Sequence, residues 1–329
     1  MNKIKIVFYN NFHVGDTFLS QPFIKNIIDN NKDNFEYYYY CHYNYFIYSS
    51  ILDNIQNVNL LDKNNIIKVK CNFIDNEHNS NNPFYFDNNI LIINTWIGKM
   101  FCNGCQECNL LTYIQCYKIL LNNIYNLYNI KILFDDNIEQ VIPIFPKNLN
   151  IENFIKFKEN NSKKKIIFLR NYFPQSGQQF ILNSNSEYIK IIKFLLSNNI
   201  VILSEFNNDL LNYKLENNIN DLYFVNEYFN LPITETCENL YYMEKISHYC
   251  DISIHFDSGR SFLYLNDEFI NDYKLGLKRS LKVHFSHTDY YYKALNQNKL
   301  VPPNYVMFCF ANNYNDIINC LSSNCLSKI

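Results

Sequence analysis

Apolar residues follow two different spacings along this chain of 329 residues. Short continuous apolar runs predict strands, and apolar residues three or four positions apart predict helices. In the first half the pattern predicts strands near residues 3–9, 35–41, 66–71 and 90–94, and helices at 17–30, 43–53 and 110–128. In the second half it predicts strands at 165–170, 200–204, 221–225, 251–256 and 281–286, and helices at 185–198, 239–249, 261 to about 274, and 314–321. This alternation is what a parallel sheet with crossover helices requires.

The segment between the two series is polar and contains Pro143 and Pro146, which indicates a connection between domains. A chain of this length can bury two separate cores. We therefore predict an α/β fold with two Rossmann-like domains that face a central cleft. The predicted bounds are 1–140 for the N-terminal domain, 141–164 for the linker and 165–329 for the C-terminal domain.

Two of the predicted strands run directly into short polar turns. The strand at 3–9 is followed by Gly15-Asp16, and the strand at 251–256 is followed by Asp257-Ser258-Gly259. Open α/β sheets bind ligands beyond the carboxyl ends of their strands, where helix N-termini present free N–H groups to anions. One such edge in each half indicates a ligand site between two domains.

Three motifs along the chain together resemble one family. Residues 12–22 contain Gly-Asp, then apolar residues, then Pro; residues 250–259 are a strand that ends in Asp-Ser-Gly; and residues 283–289 are a strand followed by a Thr-Asp turn. In this order and spacing they resemble the heptosyltransferase-like glycosyltransferases, family 9, over nearly the whole chain. The resemblance implies a GT-B-like fold with an acceptor-binding first domain and a nucleotide-sugar-binding second domain. In that family the last helix can return to the first domain.

The resemblance implies an enzyme that moves a sugar from a nucleotide-diphosphate donor to a glycan, glycoconjugate or other hydroxyl acceptor. Transfer would be inverting and independent of metal, with the nucleotide sugar as co-substrate and with no other cofactor. Asp16 matches the position of the catalytic carboxylate and would act as general base on the acceptor hydroxyl. The alternative for Asp16 is an N-cap of the helix predicted to begin at Thr17.

The residues predicted to contact the acceptor lie at the carboxyl ends of the first-half strands. His13 can bind substrate, orient Asp16 or face solvent. Trp96 follows a strand beside Asn94 and Thr95, and its indole face suits a sugar ring; the alternative is an indole packed on its own domain. The predicted acceptor-binding set is His13, Gly15, Thr17 and Trp96.

The residues predicted to contact the donor lie in the second half. Gly259 lets the backbone approach a phosphate, and an arginine can contact a diphosphate with two N–H groups. The alternative for Asp257-Ser258-Gly259 is an ordinary strand-to-helix turn. The predicted donor-binding set is Arg170, Asp257, Ser258, Gly259, Arg260, Ser261, His287 and Thr288.

The chain departs from the family pattern at two places in the donor-binding half. Phe262 and Leu263 stand where the family has a His shortly after the Gly. Arg170 is the only cation in residues 168–177, the loop where the family carries a Lys or Arg toward the phosphates. These departures keep open the alternative of a catalytically degenerate protein that binds a nucleotide or a glycan without turnover.

Net charge and apolar content argue against two partners, nucleic acid and the membrane interior. A net charge of −2 gives no general attraction to nucleic acid. No apolar run approaches the roughly 18–20 residues that a membrane span needs, and the sequence begins with a strand instead of a signal peptide. We therefore expect a cytoplasmic protein without a transmembrane segment.

Eleven cysteines without a secretory signal indicate reduced thiols. Cys102, Cys105 and Cys108 are spaced so that they can converge on Zn or an iron–sulfur cluster. No second ligand pair follows at a zinc-ribbon spacing, so we predict no metal site, with these three residues as weak candidates. A metal-binding structural protein organised by this trio is the third functional hypothesis.

Overall fold

The fold comprises two compact units, each built around its own sheet. The computed structural model describes residues 3–10, 14–41, 55–58, 67, 83–95, 113–135, 149–171, 181–182, 184–229, 237–257, 263–277, 279–287 and 304–326. The first unit consists of Met1–Phe145 with Ala294–Leu300, and the second of Pro146–Lys293 with Val301–Ile329. The α/β architecture with two mainly parallel sheets, predicted from the sequence, is confirmed.

The described part of the first sheet has five strands in the order β3-β2-β1-β5-β4. All neighbours are parallel except β4, which pairs antiparallel with β5. Asn88 and Asn89 join these two strands with positive φ at both residues, as a two-residue type I′ hairpin requires. The strands are β1 (Ile4–Asn10), β2 (Phe35–Cys41), β3 (Ile55–Asn57), β4 (Phe84–Asp87) and β5 (Ile90–Asn94).

Helix α1 (Val14–Asn30) and helix α2 (Tyr113–Tyr128) belong to the first unit. The two helices pack together through the stacked rings of Phe23 and Tyr117, whose centroids are 4.6 Å apart. Helix α1 begins three residues earlier than predicted, so Gly15 and Asp16 lie in its first turn and Asp16 is not a cap before Thr17. The predicted strand at 66–71 and the predicted helix at 43–53 fall largely or wholly outside the described residues.

The second sheet has six parallel strands in the order β11-β10-β9-β6-β7-β8 among the described residues. Renumbered from β6, this is the order 6-5-4-1-2-3 of a doubly wound α/β fold. The strands are β6 (Lys165–Leu169), β7 (Ile200–Ser204), β8 (Leu222–Phe224), β9 (Ile252–Phe256), β10 (Leu281–Ser286) and β11 (Val306–Phe310).

Seven described helices belong to the second unit. Helix α3 (Glu152–Asn160) lies within the predicted linker 141–164 and buries Phe154 and Phe157 against Phe229. The helix predicted from 261 begins instead at Asp267, since the side chain of Asn266 accepts a hydrogen bond from the N–H of Phe269 at 3.0 Å and caps it. The helices are α3 (Glu152–Asn160), α4 (Asn185–Ser197), α5 (Asn208–Glu216), α6 (Val225–Tyr228), α7 (Cys237–Tyr249), α8 (Asp267–Lys274) and α9 (Tyr314–Cys320).

The last helix completes the core of the second unit. Ile317 of α9, together with Leu321 and Cys325 of the π-helical turn that follows, is fully buried in the cluster that contains α4 and the sheet. Helix α9 therefore packs within the second unit, whereas the family resemblance allowed for its return to the first. None of the helices in the described ranges combines the length and the apolarity that crossing a membrane requires.

Candidate functional site

The carboxyl edge of the second sheet is the first candidate for a ligand site. The strand order reverses between β6 and β9, and such a reversal opens a crevice beyond the strand ends. Arg170 follows β6 directly and Asp257 follows β9. The N–H of Arg170 donates to the carbonyl of Ile254 at 3.0 Å, so the pairing of the two strands continues to this edge.

Arg170 is enclosed by two carboxylates at this edge. Its Nη1 donates to Glu205 Oε1 at 2.9 Å and its Nη2 donates to Glu244 Oε2, while the side chain is only 1% exposed. The other oxygen of Glu205 accepts from the backbone N–H of Asn171 at 3.1 Å. Arg170 therefore joins the ends of β6 and β7 to α7. Its predicted contact with a donor diphosphate stays a prediction, and that contact would require the buried pairs to open.

Glu244 is the most deeply buried carboxylate of this cluster. Burial raises its pKa, and the positive charges of Arg170 and Lys282 act in the opposite direction. Ser247 Oγ donates to its second oxygen at 3.0 Å. Neither Glu205 nor Glu244 was identified from the sequence, because a single Glu on a helix or after a strand ordinarily lies on the surface.

A buried polar face of the sheet lies behind this edge. Alternate residues of β9 and β10 point to the same side, and strand register pairs Lys282 with Ser253 and His284 with His255. All of them are at most 1% exposed. Ser253 Oγ and both ring nitrogens of His255 lack a hydrogen-bond partner within the described ranges. The alternation of polar residues was visible in the sequence, but alternation is also what a strand with one solvated face shows.

Asp257 is held by the end of β10. One carboxylate oxygen accepts from His284 Nε2 at 2.9 Å, and the other accepts from Ser286 Oγ at 2.8 Å and from the N–H of His287 at 3.2 Å. The sequence predicted that Asp257 and His287 share one site, and the structure brings them together. The predicted site residues Ser258, Gly259, Arg260, Ser261 and Thr288 lie outside the described residues.

A second polar chain runs from β10 to α8. Lys282 Nζ donates to His248 Nδ1 at 2.9 Å, and His248 Nε2 donates to Asp272 Oδ2 at 3.1 Å. Burial lowers the pKa of His248, and the positive charges of Lys282, Arg279 and Lys245 lower it further. The imidazole is therefore neutral, which agrees with one nitrogen that accepts and one that donates.

We expect Lys282 to contribute a rise in the free energy of unfolding between about pH 8 and pH 10, and buried Cys250, whose pKa is raised, to contribute a fall above about pH 9. Burial lowers the pKa of Lys282 from 10.5 to about 8, against the opposing influence of Glu244 and Asp272. In that interval the unfolded chain binds the lysine proton and the folded chain does not, so the contribution of Lys282 increases with pH, by at most about 1.4 kcal/mol per pH unit. Urea unfolding across this range measures the slope.

The variant Lys282→Met isolates this effect, because all other titrating groups stay in place. We expect the slope of the free energy of unfolding against pH to be lower in Lys282→Met than in the wild type and to be unchanged in Lys165→Met, which removes an exposed lysine from β6. If the free energy of unfolding changed with pH in the same way in the wild type and in Lys282→Met, the prediction would be contradicted.

The carboxyl edge of the first sheet is the second candidate site. The strand order reverses between β1 and β5, where Asn10 Nδ2 donates to Thr95 Oγ1 at 3.2 Å and the N–H of Thr95 donates to the carbonyl of Tyr9 at 2.8 Å. The segment after β1 leads into α1, whose first turn contains Gly15, Asp16 and Thr17. Gly15 and Thr17 are buried. The predicted residues His13 and Trp96 and the side chain of Asp16 lie outside what the structure describes.

A cavity of about 580 Å³ lies at the opposite, amino-terminal end of the second sheet. Ligands of open α/β sheets bind at the carboxyl ends of the strands, so we do not assign this cavity to the site. It is formed by α3, the turn after it and the start of β6, and its lining includes Lys158, Lys163, Lys164 and Lys165.

The predicted cysteine trio, Cys102, Cys105 and Cys108, lies outside the described residues. Within the described ranges, no group of three or more His, Cys, Asp or Glu side chains is arranged to hold a metal ion.

Comparison with known proteins returns two similar solved structures. The glycosyl transferase family 9 from Veillonella parvula DSM 2008 is 9% identical, with 98% of this chain and 97% of that chain covered and a TM-score of 0.42. The structure of E. coli heptosyltransferase WaaC with ADP is 10% identical, with 97% of this chain and 98% of that chain covered and a TM-score of 0.49. No protein-family model and no curated protein matches the chain. Both names agree with the family that the sequence motifs resemble.

Proposed function

We propose that the protein is a glycosyltransferase that moves a sugar from a nucleotide-diphosphate donor to a hydroxyl group of a glycan or another acceptor. One observation carries the proposal. In each unit, a motif that resembles the family follows a strand at the point where the strand order of the sheet reverses: Gly15-Asp16 follows β1, and Asp257 follows β9. Ligands of doubly wound sheets bind at such points.

The second unit is assigned to the donor. Asp257 is fixed by three hydrogen bonds, and the residues after it, Ser258 to Ser261, are the proposed contacts of the diphosphate. Because Arg170 is already paired with two buried carboxylates, we assign the cation that meets the leaving diphosphate to Arg260. Positive charge at the point where negative charge develops stabilises the transition state, and this arrangement needs no metal ion.

The first unit is assigned to the acceptor and the general base. Asp16 takes the proton of the acceptor hydroxyl, the acceptor oxygen forms a bond to the anomeric carbon, and the bond from that carbon to the diphosphate breaks. Attack opposite the leaving group inverts the configuration of the anomeric carbon. The position of Asp16 in the first turn of α1, after the central strand β1, supports this role.

A nucleotide-diphosphate sugar should stabilise the protein through Arg260. A donor present at about 100 times its dissociation constant adds about 2.7 kcal/mol to the free energy of unfolding. We expect one donor of a thermal-shift screen to raise the melting temperature of the wild type and of Arg279→Ala, but not of Arg260→Ala. Arg279 is the matched control because it precedes β10, at the opposite end of the sheet.

Two results would contradict the proposal. If no nucleotide sugar shifts the wild type, the transferase assignment is wrong. If a donor binds and no acceptor is glycosylated, the protein is a nucleotide-binding or glycan-binding protein without turnover. The pairing of Arg170 with Glu205 and Glu244 is the observation that favours this second candidate, because it leaves one cation fewer for the diphosphate.

A further inference from the structure

The cavity at the amino-terminal end of the second sheet takes no part in the proposed sugar transfer. Its volume of about 580 Å³ lies within the roughly 300–1,000 Å³ that is usual for small-molecule sites. It is formed by α3, the turn after α3, the start of β6, and the junction of α7 with β9. All of its described lining residues belong to the second unit. The cavity can therefore be considered as a site of that unit alone.

Hydrogen bonds join the elements that form this cavity. Lys158 Nζ of α3 donates to the carbonyl of Tyr249 at 2.7 Å and lies 3.8 Å from Asp251 Oδ1. Asp251 Oδ2 accepts from the N–H of Ile166 at 2.8 Å, and the N–H of Asp251 donates to the carbonyl of Ile166 at 2.9 Å. The cavity is thus preformed by the folded chain, as ligand pockets usually are.

Apolar side chains form a large part of the described lining. Phe154 and Ile166 are buried behind the cavity, whereas Ile155 of α3 is 44% exposed and Tyr249 is partly exposed. A ligand that covers Ile155 and the ring of Tyr249 removes apolar surface from water, which favours binding. The lining therefore suits a ligand with an apolar body.

Positive charge predominates among the described lining residues, which include four lysines and two acidic residues. Lys158 and Lys164 are each paired with an aspartate. Lys163 and Lys165 are exposed, and neither forms an ion pair within the described ranges. Two ammonium groups beside an apolar surface attract a negative charge to it. The lining therefore also suits a ligand with an acidic group.

We propose that this cavity binds a small organic anion with an apolar body, such as an aryl carboxylate or a short fatty acid. The apolar body lies against Ile155 and Tyr249, and the acidic group is directed toward Lys163 and Lys165. The site is separate from the candidate donor edge, because it lies at the opposite end of the same strands. It therefore goes beyond the proposed function and does not depend on it.

Isothermal titration calorimetry with 2-naphthoate tests this inference. We expect 2-naphthoate to bind and octanoate to compete with it. The neutral 2-naphthamide keeps the two rings but has no charge, so it should bind about tenfold more weakly. Acetate keeps the carboxylate but has no apolar body, so it should show no measurable binding.

Variants at exposed positions separate the two contributions without disturbing the core. Lys163→Gln combined with Lys165→Gln should weaken 2-naphthoate about tenfold, reduce the effect of salt and leave 2-naphthamide unchanged. Ile155→Gln should weaken both probes about fivefold, because both use the rings. Lys156→Gln is the matched control, since Lys156 is an exposed lysine of α3 that does not line the cavity. We expect it to bind both probes as the wild type does.

Three results would overturn this inference. The first is a wild type that binds neither 2-naphthoate nor octanoate. The second is unchanged affinity for 2-naphthoate in the double lysine variant, which would show that the anion binds elsewhere. The third is displacement of 2-naphthoate by a nucleotide diphosphate, which would assign the probe to the candidate donor edge and leave the proposed function standing. Independent binding of the two ligands supports a separate site, and a failure to bind any nucleotide sugar would contradict the proposed function alone.

Discussion

Replacement of Arg170 by Met is expected to lower the free energy of unfolding by about 3–5 kcal/mol, the largest stability effect that we predict. Arg170 lies between Glu205 and Glu244, and all three side chains are almost completely buried. Methionine fills a similar space but leaves two carboxylates without their cation in a region that excludes water. A buried charge without a partner destabilises the folded state far more than a buried ion pair does.

Urea unfolding measured by circular dichroism tests this prediction. Lys165→Met is the control, because it removes an exposed lysine from β6, the strand that precedes Arg170, and should change stability by no more than about 0.5 kcal/mol. Conversion of both carboxylates to Gln in the Arg170→Met background should recover part of the loss, since no unpaired buried charge then remains. An Arg170→Met protein as stable as the wild type would show that the guanidinium is not paired with Glu205 and Glu244 in solution.

Replacement of Asp16 by Asn is expected to reduce the rate of sugar transfer by about 10²–10⁴-fold, which is the usual contribution of a general acid–base group. Asparagine preserves the shape of the side chain but cannot accept the proton of the acceptor hydroxyl. Donor affinity should stay unchanged, because we assign the donor to the second unit. Initial rates with a matched donor and acceptor, together with the donor-induced shift in melting temperature, measure the two properties separately.

Asp29→Asn is the matched control for Asp16→Asn. Asp29 lies in the last turn of the same helix, where it is exposed and paired with Lys25 and Lys32, so we expect transfer at the wild-type rate. Full activity of Asp16→Asn would show that another group takes the proton. Loss of donor binding in Asp16→Asn would show instead that Asp16 acts in the binding of the nucleotide sugar.

The elements that the sequence predicted best are buried strands bounded by polar turns. Strands β2, β5, β7 and β10 have the predicted bounds. Strands β2, β5 and β7 are largely continuous apolar or aromatic runs, and β10 alternates apolar and polar residues; both patterns are typical of strands. Helix α3 was missed because it buries only two phenylalanines among lysine, asparagine and glutamate residues. Strand β4 was missed because it is four residues long and its pairing depends on the turn at Asn88 and Asn89.

Only part of the candidate donor site was predictable from the sequence. Asp257 was identified because it follows a buried strand and begins an Asp-Ser-Gly sequence that resembles the family motif. Although His284 lies within the motif at residues 283–289, its partners were not identified, and neither were Glu205 and Glu244, because the groups that each of them contacts are distant along the chain. Their roles depend on which strands are neighbours and in which register they pair, and neither property is encoded within one segment.

The sequence by itself determined the α/β class, the division into two series of strands and helices, and the positions of the buried strands β1 and β9. These features depend on local patterns of apolar residues and on the chemistry of single turns. Only the tertiary structure decided that Arg170 is enclosed by two carboxylates and that His284 joins Asp257 to Tyr264. The physical reason is that a buried polar group is stabilised by a hydrogen-bond partner within about 3 Å. The fold can bring such partners together from residues that are far apart along the chain.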